Sequence, residues 1–183
     1  MRVFTATTYQ DDGQAVTPVS IALLREDGVS YYAINGSIGR ARLDPTQTIG
    51  PGLAHLPWHD GRIDRRDPAV RSRDRLACEL HWFLKDAPGP ELWSWRGDTD
   101  HLVLARMCHR LGALPVAVPD WVGSLRQEAH RLALPLRDLP RWPRHDAHPM
   151  ETARHFQRIA RCLDAAAATD PREADAVHRV GGW

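Results

Sequence analysis

At 183 residues the chain suits one domain with a substantial core. An apolar fraction of 43% excludes a disordered class, and a formal net charge of +1 excludes recognition of nucleic acid by global charge alone. Three widely spaced cysteines, Cys78, Cys108 and Cys162, exclude a disulfide framework and a cysteine metal site, and they read as small buried helix residues. No apolar run is long enough to span a bilayer and no signal-peptide pattern is visible, so no membrane contact and a cytoplasmic location are expected. The positive charge is nearly all arginine, with Lys85 the single lysine, which favours fork-shaped recognition of phosphate or carboxylate.

Val3 to Tyr9 is short and rich in β-formers, and "DDG" at Asp11 to Gly13 signals a turn. Val16 to Glu26 predicts a second strand, with Pro18 near its start, and "EDG" turns the chain into a third, Val29 to Asn35. Gly36 to Asp67 has little periodicity and is too long for a plain connection. From Pro68 the spacing of Val70, Leu76, Ala77, Leu80 and Leu84 predicts a helix that ends before Pro88 to Pro90.

Glu91 to Gly97 predicts a fourth strand, on which Trp93 and Trp95 share a face. Asp98 to Gly112 opens on acids and closes on glycine, as a helix does. A shorter helix is expected over Val122 to Leu134, and a long one over Met150 to Ala168 with a stripe at Phe156, Ile159, Ala160 and Leu163. The order β-β-β-α-β-α-α-α describes an α/β, ribonuclease-H-like mixed sheet that begins as an antiparallel meander and is flanked by helices. The domain is taken as 1–168, with 169–183 as a tail.

Five segments carry a resemblance: "MRVFTATTYQDDG", "VSIALLREDGVSYYAIN", "ELWSWRGDTDHLVLARM", "ALPVAVPDWVGSLRQE" and "RHDAHPMETARHF". In this order they resemble the RNase AS proteins, small exoribonucleases related to RNase T in the DEDDh group of 3′-to-5′ exonucleases. The most specific piece is "ELWSWRGDTDH". The resemblance implies a two-metal nuclease in which four carboxylates hold two Mg²⁺ (or Mn²⁺) ions, with an RNA or nucleotide substrate and a homodimer. Two ions roughly 4 Å apart activate water and stabilise the leaving oxygen, and hard cations require several anionic oxygens.

The ligand pattern is broken. The Asp-x-Glu of the first strand corresponds to Ala6 and Thr8, and Asp11 and Asp12 lie beyond it in the expected turn. Asp100 matches the third carboxylate and is the remaining metal candidate; Asp98 reads as a helix-start residue. His145 matches the general base. Five residues later stands Met150 instead of an acid, with Glu151 next to it, about 100° further round a helix.

Three readings follow. The first is a divergent family member impaired in two-metal hydrolysis that retains RNA or nucleotide binding and needs no cofactor. The second is an active exoribonuclease with substitute ligands Asp11, Asp100, His145 and Glu151. The third is a fold repurposed for other chemistry, with His145, Asp100 and Asp146 as acid–base groups. Trp58, Trp142 and Arg144 are the candidate contacts to single-stranded RNA, by stacking and by charge. "HDAH" at His145 to His148 offers two imidazoles to a transition metal or is a loop beside the site, and the arginines of 62–75, interleaved with Asp, read as a phosphate-contacting patch or as a solvated helix face with internal ion pairs.

Overall fold

The computed structural model describes residues 1–38, 43–108, 118–144 and 146–169. Its centre is a twisted mixed sheet. Strands β1 (Arg2–Asp11), β2 (Val16–Arg25) and β3 (Ser30–Asn35) form the expected antiparallel meander. Two short strands, β4 (Thr48–Ile49) and β7 (Val70–Arg71), pair with β1 and β3, and β5 (Trp58–His59) and β6 (Arg62–Ile63) form a separate hairpin. Beyond β1, strands β8 (Glu91–Ser94) and β9 (Val122–Ser124) run parallel to it. The order β7-β3-β2-β1-β8-β9 puts β1 at the centre. This is a ribonuclease-H-like arrangement, as the element order predicts.

Four helices complete the fold: α1 (Arg73–Lys85), α2 (Asp98–Cys108), α3 (Leu125–Arg131) and α4 (Pro149–Thr169). The hydroxyls of Ser72 and Ser124 accept from the backbone N–H groups of Arg75 and Gln127 and so start α1 and α3. Alternation along the strands builds two cores. Val3, Ile21 and Leu23 face α1 and α2 through Leu76, Leu80, Leu84, Val103 and Leu104. Phe4, Ala6, Ala22 and Leu24 face α3 and α4 through Leu125, Ala129, Phe156, Ile159 and Leu163. A third cluster, with Val19, Ile34, Leu56 and Ile63, seats the hairpin segment.

Three expectations change. The stretch at Val122 begins as β9 before it becomes a helix; Gly123 lies flat against the Trp93 ring, where an added Cβ would come within 2.7 Å of it. The first helix starts at Arg73 rather than Pro68, because residues 70 and 71 are used as an edge strand. Of the cysteines only Cys108 is buried; Cys78 and Cys162 lie on outward helix faces. Among the described residues no helix is long and apolar enough to cross a membrane. The tail expected after residue 168 lies, from 170 onwards, outside the described residues.

Candidate active-site pocket

The central strand ends in an irregularity. Pairing between β1 and β2 slips between Thr8 and Tyr9, a bulge of the kind that bends a strand locally. A pocket of about 270 Å³ opens there, lined by Ala6, Thr7 and Tyr9 of β1. Its floor is closed by the Gly50–Pro51 turn, where Gly50 has φ +102° and touches the Thr7 carbonyl so closely that no Cβ fits. Trp95, Arg96 and Asp100 enter from the β8–α2 junction, and Thr152 and Phe156 from α4.

Asp100 sits in the first turn of α2, where a carboxylate suits the positive helix end, and is 6% exposed. The Thr7 hydroxyl donates to its Oδ1. Burial raises its proton affinity above the usual carboxylate range, against the opposing effects of hydrogen bonds from Thr7, Ser94 and the Arg96 amide and of the Arg96 charge. Ser94 also accepts from the Gly97 N–H at 2.8 Å, which fixes the turn into α2.

The expected ligand positions are neutral. Ala6 is 1% exposed and packs among apolar side chains of the α4 face. Thr8 is fully buried, and its hydroxyl donates to the Pro51 carbonyl at 3.1 Å. Asp11 accepts from the Gly13 N–H in the turn, away from the pocket lining. On α4 the polar side chain presented to the pocket is Thr152, beside Phe156; Met150 packs against the α4 core, and Glu151 is exposed. Thr152 was missed because the register was counted from His145. Extending the stripe Leu163, Ile159, Phe156 back by one more turn lands on it.

Other candidates lie at various distances from this cavity. His145 is outside the described residues. Asp146 holds Arg144 with Oδ1 3.1 Å from Nε; Arg144 lines the pocket and Asp146 does not. Trp142 lines the pocket at 45% exposure, edge-on to Trp95 with centroids 4.9 Å apart. Beneath it His155 is fully buried, its ring 4.6 Å from Trp142, with both nitrogens unpartnered and its pKa pushed down to about 4 by burial. Trp58 is exposed on the β5–β6 hairpin, away from the pocket lining, and its Nε1 donates to the Leu53 carbonyl.

The His148 ring lies tilted against Tyr32 with centroids 4.3 Å apart, and its Nδ1 accepts from the Met150 N–H. His55 lies 5.7 Å from His148 and 3.0 Å from the Ser20 hydroxyl. Among the described residues no group of three His, Cys, Asp or Glu side chains is placed to hold a metal. Of the arginines of 62–75, Arg71 and Arg75 both pair with Glu79, which lies outside that segment.

Two proteins of Mycobacterium tuberculosis, from strains CDC 1551 / Oshkosh and ATCC 25618 / H37Rv, are each named a 3′-5′ exoribonuclease. Each is 30% identical to this chain over 175 residues, covering 90% of this chain and 96% of the relative. The chain belongs to this 3′-5′ exoribonuclease family. No family model matches it. The donor set of the pocket falls short of the two-metal site that the sequence resemblance implies. A pair of Mg²⁺ ions needs several anionic oxygens, and among the described lining residues Asp100 is the one carboxylate. Threonine hydroxyls committed to Asp100 and Pro51 do not replace the rest. These residues do not fit the two-metal group.

Proposed function

We propose that this chain is a divergent 3′-5′ exoribonuclease-family protein that has lost two-metal hydrolysis and retains binding of RNA or a nucleotide in the pocket. The observation that carries the reading is the pocket lining: among the described lining residues Asp100 is the one carboxylate, with Ala6 and Thr152 facing the same space. Binding is supported by the aromatic wall of Trp95, Trp142 and Phe156, on which a base stacks, and by the arginines at the rim.

Activity through substitute ligands draws no support from Asp11, which is engaged in its turn, or from Glu151, which is exposed. Incubation with end-labelled oligoadenylate and Mg²⁺ or Mn²⁺ tests the reading. The expected result is no 3′ ladder, with binding retained in an anisotropy titration. A ladder from purified protein, abolished by Asp100→Asn, would overturn it.

A further inference from the structure

Resting on that reading, we propose that the Arg96 guanidinium has taken over phosphate recognition, so that the pocket binds a nucleoside monophosphate unit without any divalent cation. A two-metal nuclease holds the phosphodiester through its ions, because its own carboxylates repel it. Here Ala6 and Thr152 carry no charge, and among the described lining residues the charged ones are Asp100, Arg96 and Arg144.

Two of those three are already engaged. Asp100 is buried and takes the Thr7, Ser94 and Arg96 amide donors. Arg144 is held by Asp146 through two contacts, 3.1 and 3.4 Å. Arg96 is exposed, forms no ion pair with a described carboxylate, and has as its one side-chain partner the Tyr9 hydroxyl at 3.4 Å. Apart from that one long contact and its attraction for Asp100, with which it forms no ion pair, its fork of donors is therefore open to a ligand in a cavity that also offers stacking surface. A planar guanidinium binds phosphate oxygens in pairs, whereas a neutral hydroxyl supplies one weak donor. A volume of about 270 Å³ admits a single nucleotide, so the phosphate meets Arg96 while the base lies against Trp142 and Trp95.

The position of Arg96 has a simple origin. It follows Trp95 at the end of β8, and Gly97, with φ +53°, turns the backbone into α2. The side chain is thereby left over the cavity while its amide is directed at Asp100.

The test is anisotropy of a fluorescent oligoadenylate against the full chain, in EDTA and in Mg²⁺ at matched ionic strength, with free 5′-AMP as competitor. Wild type is expected to bind equally in both buffers. Arg96→Gln should weaken binding about tenfold or more, as loss of a charge-assisted phosphate contact does, and Arg96→Lys should recover part of it. Arg96 is exposed, so unchanged melting of both variants will exclude misfolding. Competition by AMP identifies a free nucleotide as a sufficient ligand; binding of the oligomer alone assigns the site to an RNA end, and both agree with the proposal. Equal affinity of Arg96→Gln and wild type would overturn the role of Arg96 and leave the RNA-binding reading intact. Binding that needs Mg²⁺ would overturn both the metal-free site and the loss of metal. Absence of binding in either buffer would remove the RNA-binding reading itself.

Discussion

Returning acids to the pocket makes the anionic shortfall measurable without any assay of catalysis. Ala6 and Thr152 both line the cavity beside Asp100, so Ala6→Asp with Thr152→Asp places three carboxylates around one space. All three positions are nearly closed to solvent, at 1%, 8% and 6% exposure. Each like-charged pair about 4 Å apart costs about 4 kcal/mol at an effective dielectric of about 20, relieved in part by proton uptake. The metal-free double variant is therefore expected to melt several degrees below wild type. Mg²⁺ at about 100-fold above its Kd returns about 2.7 kcal/mol. At about 2–4 °C per kcal/mol for a chain of this size, that is a rise of roughly 5–11 °C. Wild type should show no Mg²⁺-specific rise when ionic strength is matched. Circular dichroism melts with and without MgCl₂ read both numbers. A comparable rise in wild type would refute the argument, since the native donors would then suffice. A folded double variant indifferent to Mg²⁺ would refute the placement of residues 6 and 152 around a common space. Thr8→Glu is the poorer restoration, because Thr8 is fully buried and its hydroxyl ties β1 to the Pro51 carbonyl.

Gly50→Ala forces a Cβ to within 2.1 Å of the Thr7 carbonyl at φ +102°, so a loss of about 3 kcal/mol or more is expected in urea denaturation. Leu80→Ala empties a fully buried position in the α1–α2 core and should cost about 2–5 kcal/mol without affecting RNA binding. His155, unpartnered and with its pKa lowered from 6.5 to about 4, contributes stability that is complete above pH 6.5 and is lost as the pH falls toward 4. Its share of the loss between pH 7.5 and pH 5 is at most about 2 kcal/mol. His155→Leu should leave neutral stability equal or higher and flatten the acid slope, with the rest of the slope carried in the same direction by His55. An unchanged slope would sink this assignment.

The strands of the meander were legible because alternating apolar residues and the "DDG" and "EDG" turns leave little choice of register: Val16 opens β2 as expected, and Asn35 closes β3. The long α4 was legible from its stripe. What sequence pattern did not disclose is what tertiary pairing decides. Strand β9 is three residues long, and its identity comes from lying beside β8 under Trp93. Residues 70 and 71 carry a helical pattern and are recruited by the free edge of β3. That β1 carries neutral residues at Ala6, which lines the pocket, and at Thr8, which does not, was readable directly from the sequence. Thr152 was not, because a helix register counted across a loop fails with each inserted residue; the segment before α4 contains Pro140 and Pro143, and Pro149 opens the helix only after His145. Arg96 was passed over because nothing in its local spacing indicates that it faces a cavity.

The neutral lining around Asp100 also has a consequence for stability. A cluster of buried carboxylates is a standing repulsion that only bound cations relieve, and active-site residues commonly carry this kind of cost. In this chain the cost is absent: the Thr7 hydroxyl is spent on Asp100, the Thr8 hydroxyl on Pro51, and Ala6 adds apolar contact to the α4 core. The remaining acid, Asp100, thus has an architectural role apart from metal, since its oxygens join β1 to the start of α2. Retention of Asp100 therefore cannot be counted as retained chemistry. Asp100→Asn preserves an acceptor for Thr7 and should leave the fold intact, whereas Asp100→Ala strands buried donors and should cost about 1–3 kcal/mol. If both variants melt like wild type, Asp100 does not hold β1 and α2 together, and its presence needs the metal-based explanation after all.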